Sequence, residues 1–143
     1  MRSSGIAAVA AALVATSSLA FALSVSPHWM GSLEGKEGMK TTGSAMMMAT
    51  SDGKATEVTI ELKGETPNGT RPWHVHTGTC AKGGPPLGGM KPYPPISLDA
   101  KGNGVSKATL AITVPDSGSY NVNIHESATN MSKIVACGDL KKM

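Results

Sequence analysis

Apolar positions in this chain alternate with polar ones and do not recur every third or fourth residue. In "ATEVTIELKG" (55–64), Val58, Ile60 and Leu62 alternate with Glu57, Thr59, Glu61 and Lys63. That period of two belongs to a β-strand with one buried face. The run before it, "SAMMMAT" (44–50), is joined to it through Asp52-Gly53, a hairpin signal. Alternation there predicts Met46 and Met48 in the core and Met47 outward. After a turn at Asn68-Gly69, "RPWHVHTG" (71–78) reads as a third strand, with Pro72 at its start, where a missing N–H is tolerated. "ISLDAKGNGVSKATLAITV" (96–114) reads as two strands around Lys101–Gly104. "GSYNVNIHES" (118–127) is another, with Tyr120, Val122 and Ile124 on one face, and "SKIVACGDL" (132–140) is the last. Six or seven short strands with turns between them and no helical period predict an all-β fold, an antiparallel β-sandwich or barrel.

The remaining segments set the boundaries. Residues 23–43 are polar and Gly-rich without a sustained period, which predicts a flexible N-terminal arm and a domain over 44–143. "GGPPLGGMKPYPP" (83–95) holds four glycines and five prolines and predicts a long loop. Such a loop inside a compact domain is functional or disordered more often than filler. Arg2 precedes the uncharged run "GIAAVAAALVATSSLAFALSV", which contains the small-residue site Ala20-Phe21-Ala22. This order predicts a secretory signal peptide over 1–22. Uncleaved, the run approaches the ~20 residues that span a bilayer and would anchor the chain to a membrane. The protein is expected outside the cytoplasm, periplasmic or extracellular, where disulfides persist.

Composition narrows the chemistry. The chain has 143 residues, one domain's worth, with 3% aromatic residues, 17 glycines and 9 prolines. A large aromatic core and a helical bundle are excluded. A net charge of +3 without a basic block, and few aromatics on which bases could stack, give no nucleic-acid signal. Two cysteines and four histidines remain. In an exported chain Cys80 and Cys137 read as one disulfide. The alternative is a pair of thiolate ligands for a soft metal, although they lack the short pair spacing of zinc or redox sites.

His74 and His76 lie two apart in a predicted strand, so both imidazoles share a face and Val75 takes the other. His125 is in phase with Asn121 and Asn123, on the polar side of its strand, opposite Val122 and Ile124. Three imidazoles on strands suit copper or zinc. The alternative is that they are ordinary polar residues. The fourth, His28, stands in the arm as "PHWM".

At these residues the chain resembles the copper/zinc superoxide dismutase family. The pieces that carry the resemblance are "WHVHTGTC" (73–80), "LDAKGNGVSKATLAI" (98–112), "NIHES" (123–127) and "VACGDL" (135–140), in the family's order. The resemblance implies a Greek-key β-sandwich, His74, His76 and His125 as ligands of one copper ion, and a Cys80–Cys137 disulfide. It also implies conversion of superoxide to oxygen and hydrogen peroxide. The departures are specific. No histidine lies between Cys80 and His125, so the bridging ligand and the zinc site are absent and no zinc is expected. This is the pattern of a zinc-free, copper-only type. Only 11 residues separate His125 from Cys137, too few for the family's guiding loop. The family's active-site arginine is Ile134 here, which leaves Lys133 as the candidate anion guide, on the opposite face of the strand. Met90, in the Gly/Pro loop, and Met131, after His125, are candidate fourth ligands, because a thioether is a soft donor. Three functions follow as expectations: a zinc-free copper superoxide dismutase, an exported copper storage or carrier protein without turnover, and a metal-free structural domain.

Overall fold

The hairpin around Asp52-Gly53 forms, and the sheet extends from it. Strands β2 (Thr42–Ala49) and β3 (Thr56–Lys63) pair antiparallel from Thr42 opposite Lys63 to Ala49 opposite Thr56. Gly53 turns the chain at a φ of 69°, a left-handed conformation that glycine adopts without a Cβ penalty. In the computed structural model, which describes residues 27–143, the other strands are β1 (His28–Gly35), β4 (Thr70–Arg71), β5 (Trp73–Gly78), β6 (Gly83–Pro86), β7 (Ile96–Ser97), β8 (Gly104–Leu110), β9 (Tyr120–Ser127) and β10 (Asn130–Lys142). The predicted leader, 1–22, lies outside the described residues.

Eight strands make one curled antiparallel sheet in the order β6-β5-β9-β10-β1-β2-β3-β8, and β4 and β7 pair separately. The chain leaves β3, crosses to form β5, and returns beside β3 as β8. It then crosses again to insert β9 between β5 and β10. These are Greek-key connections. No helix occurs among the described residues, and none is long and apolar enough to cross a membrane. The all-β sandwich or barrel expectation holds.

The flexible arm does not. His28–Gly35 is β1, a central strand held between β10 and β2. Its inward positions are Trp29, Gly31 and Leu33, so a glycine stands where the alternation needed an apolar side chain. A Cβ at Gly31 would run into the backbone carbonyl of Asp139 on β10, so close strand approach requires the residue that hides the pattern. Residues 28–35 therefore belong to the β-sheet domain, which does not start at 44.

The methionine phase is also reversed. Met47 is fully buried, Met46 is half-buried and Met48 is exposed. Met47 stands opposite Val58, a core residue, and directly opposed residues share a face. Three consecutive methionines between alanines carry no polar marker of register. Two further expectations shift. The first four residues of the Gly/Pro loop form β6, an edge strand on β5, where proline costs no ladder bond. The pair predicted around Lys101–Gly104 does not pair with itself: β7 joins β4 and β8 joins β3.

Inward side chains of β1, β2, β3, β5, β8 and β9 form the core, with Trp73, Ile60, Leu62, Val122 and Ile124 fully or almost fully buried. The Trp73 indole N–H donates to the Pro94 carbonyl at 2.7 Å, tying the Gly/Pro loop to this core.

Candidate metal centre

β5 and β9 pair so that His74 stands opposite Asn123 and His76 opposite Asn121. The His125 N–H extends this ladder by donating to the Pro72 carbonyl at 2.8 Å. His74, His76 and His125 thus share the face of the sheet opposite Val75, Val122 and Ile124. One ring nitrogen from each lies within 4.8 Å of the other two. His74 Nδ1 and His125 Nε2 are 3.2 Å apart. His74 and His125 are each only 5% exposed, so a second layer covers this polar face.

The hydrogen bonds fix one tautomer. His76 Nδ1 lies 2.8 Å from the Gly84 carbonyl, which can only accept, so Nδ1 carries the proton. The neutral ring then presents an unprotonated lone pair at Nε2, and that atom is buried without a partner. A carbonyl on the distal nitrogen is the arrangement that orients a metal-ligating imidazole. Glycine is needed at position 84, because a Cβ there would collide with Thr77. His125 Nδ1 is likewise buried without a partner.

Burial lowers the pKa of His74 to about 4, and the neighbouring His125 and His76 rings add to the shift. Burial also lowers that of His125, with the Met131 backbone opposing the shift and the His76 ring adding to it. Both rings are therefore neutral at pH 7, the state in which imidazole ligates. Tyr93 packs edge-on against His74 at 5.2 Å between centroids and against Trp73 at 5.0 Å. Its hydroxyl donates to the Leu87 carbonyl at 2.6 Å, and burial raises its pKa above the ordinary tyrosine range.

No protein-family model matches the chain, and no curated protein matches it.

The site stands on its geometry. The three predicted histidines converge into a group that could hold a metal ion. Cys80 and Cys137 form a disulfide, which removes the thiolate alternative and fits an exported protein. It links the loop after β5 to β10, and Asp139 reinforces the link by accepting from the Cys80 N–H at 2.6 Å. His28 lies on β1, away from the three. Met90 is 56% exposed in the Gly/Pro loop, whereas Met131 is half-buried with its backbone against His125. Lys133 is exposed and bound to Glu126 at 2.6 Å.

Sequence reasoning missed three supports. Gly84, on the edge strand β6, and Tyr93, in the loop after it, make contacts that no periodicity encodes. The third is an ion pair: the buried Glu65 carboxylate contacts Arg71 at 2.7 Å and accepts from the Thr41 hydroxyl at 2.7 Å. Arg71 Nη1 also donates to the Glu126 carbonyl at 2.9 Å, clamping the residue that follows His125.

Proposed function

We propose that this is an exported, copper-binding protein of the superoxide dismutase-like type, with a zinc-free site that converts superoxide to oxygen and hydrogen peroxide. The observation that carries the reading is the buried, unpartnered Nε2 of His76, set within 4.8 Å of a nitrogen from each of the other two histidines. Three imidazoles without a carboxylate fit copper. The choice of copper over zinc rests on the resemblance in "WHVHTGTC", "NIHES" and "VACGDL".

His74 Nδ1, His76 Nε2 and His125 Nε2 would hold the ion. Copper would supply the alternation between Cu(II) and Cu(I), by which one superoxide is oxidised and the next reduced. The protein's own contribution is orientation and exclusion. The Gly84 carbonyl holds the His76 ring, Tyr93 packs against His74, and burial keeps His74 and His125 neutral, each with one nitrogen able to ligate. The disulfide favours a periplasmic or extracellular setting.

A second reading, a copper carrier or store without turnover, is favoured by one contact. Glu126 neutralises Lys133, the residue next to the family's arginine position, so no net positive charge from this pair steers an anion. The deciding experiment loads one equivalent of Cu(II), records its electron paramagnetic resonance spectrum and follows superoxide decay after pulse radiolysis. The dismutase reading expects nitrogen hyperfine splitting and a decay rate at least tenfold above that of His76→Ala. Equal rates would leave the carrier. A spectrum of aqueous Cu(II) alone would remove the dismutase reading.

A further inference from the structure

The outer face of β1 and β2 carries a second cluster of metal-binding side chains that the histidine site does not use. Trp29 and Met47 are directly opposite each other and both buried, which fixes the phase of the two strands. The flanking pairs therefore point outward: His28 opposite Met48, and Met30 opposite Met46. Met30 is 42% exposed and Met48 39%, with His28 and Met46 half-buried. Met143 extends the row, since its N–H donates to the His28 carbonyl at 2.9 Å.

From this arrangement we propose a Cu(I)-selective surface site formed by His28, Met30, Met46 and Met48, with Met143 at its margin. Side chains directly opposite on paired strands have Cβ atoms about 5 Å apart, and diagonal neighbours about 7 Å. Four donors on that grid surround one ion. Methionine has three rotatable bonds and a polarizable sulfur, so its thioethers converge without backbone movement. Thioethers select Cu(I) over harder divalent ions, and the imidazole adds one stronger donor.

The surroundings argue against incidental exposure. The next outward pair on these strands is Ser32 opposite Ser44, and the β3 residues opposite Met48 and Met46 are Glu57 and Thr59. The methionines form an island among these polar neighbours. Contiguous soft donors left open to solvent in this way are the kind of patch that marks an interaction site. Met30 and Met143 also line one shallow depression of about 440 Å³ with Asp139 and Lys141. The site is separate from the histidine centre. β1 is two strands from β9, which carries His125, and three from β5, about 10 and 14 Å at ordinary strand spacing. It stands whether or not the histidines hold copper.

The test is an anaerobic Cu(I) titration of the oxidised, disulfide-intact protein against a chromophoric Cu(I) chelator. Methionine methyl resonances are followed in parallel with Ag(I) as a redox-inert probe. Wild type is expected to take a second equivalent of Cu(I) and to shift the methyl signals of Met30, Met46 and Met48. His76→Ala is expected to keep that equivalent. Met30→Leu/Met48→Leu, which preserves bulk and hydrophobicity at exposed positions, is expected to weaken it at least tenfold. The proposal is overturned if the double variant binds the second equivalent with unchanged affinity, or if wild type takes none while the methyl signals stay fixed. His76→Ala retaining both equivalents would sink the histidine centre alone.

Discussion

Along β3, buried Thr56, Val58, Ile60 and Leu62 alternate with partly or fully exposed Glu57, Thr59, Glu61 and Lys63, whereas β9 buries five residues in succession, Asn121–His125. β3 has one face in the core and one in solvent. β9 has its second face covered as well, by the loop that follows β5 and the disulfide that ties it to β10. The cover has a cost. All three buried side-chain polar atoms without a partner among the described residues, His76 Nε2, Asn121 Nδ2 and His125 Nδ1, lie on β5 and β9. Each such group destabilises a fold by about 1–3 kcal/mol. The β1–β3 half thus follows the rules of a stable sheet, and the β5–β9 half departs from them where the histidines meet. The departure marks the candidate site.

The largest way to break this contrast is to remove the cover. Cys80→Ala/Cys137→Ala opens a link between residues 57 apart, and loop closure of that length contributes about 4 kcal/mol. The loss should be uneven. Amide exchange should accelerate first in β5 and β9, with β2 and β3 retaining protection until global unfolding. Equal acceleration in both halves would show that the disulfide staples the whole sheet.

Arg71→Met comes next. It strands the Glu65 carboxylate, whose side chain is fully buried, and releases the Glu126 carbonyl. Breaking a buried pair from one side destabilises by about 3 kcal/mol, read as a drop in urea midpoint at pH 7. The pH dependence follows from the same contact. Burial alone would raise the Glu65 pKa, but Arg71 and Thr41 outweigh it and hold it below the usual 4.5. A carboxyl depressed in the folded state stabilises above its unfolded pKa, and that stability is lost as pH falls through the folded value. Wild type should therefore lose this contribution below pH 4.5, and the gap between wild type and Arg71→Met should narrow there.

Which features were legible follows from the same two rules. Alternation exposed β3, the Val122–Ile124 face of β9 and the shared face of His74 and His76, because a polar side chain marked every second position. It failed at β1, where Gly31 replaces an apolar residue to admit β10, and at β2, where three methionines offer no polar contrast. The histidine trio was readable because strand phase puts His74 and His76 on one face and His125 on the polar side of its strand, and the family resemblance joins them; the β5–β9 pairing brings them together. Its supports, the Gly84 carbonyl, the Tyr93 ring and Arg71, were not, since each acts through tertiary contacts that leave no period in the sequence.

The methionine run sharpens the contrast at smaller amplitude. Met47→Ala removes a fully buried side chain from the β1–β3 core, and truncations of this kind destabilise by about 2 kcal/mol or more. Met48→Ala, one residue along and outward, should shift the urea midpoint by less than a quarter as much. A larger effect from Met48 than from Met47 would reverse the register assigned to β2.

The smallest expected effect concerns Lys133. Its amine is bound to Glu126 at 2.6 Å, and both side chains are substantially exposed. The contact raises the Lys133 pKa and lowers that of Glu126, each through the hydrogen bond between them first. Exposed pairs of this type are screened and entropically costly, so Lys133→Ala should leave the unfolding midpoint unchanged. Its effect on anion capture has a definite sign. Removing the lysine uncovers the negative charge of Glu126, next in the chain to His125, so superoxide decay by the copper-loaded protein should slow, by less than twofold in physiological salt. Glu126→Gln should do the reverse, because it frees the lysine. If both variants leave the rate and its ionic-strength dependence untouched, this pair takes no part in guiding anions to the histidines.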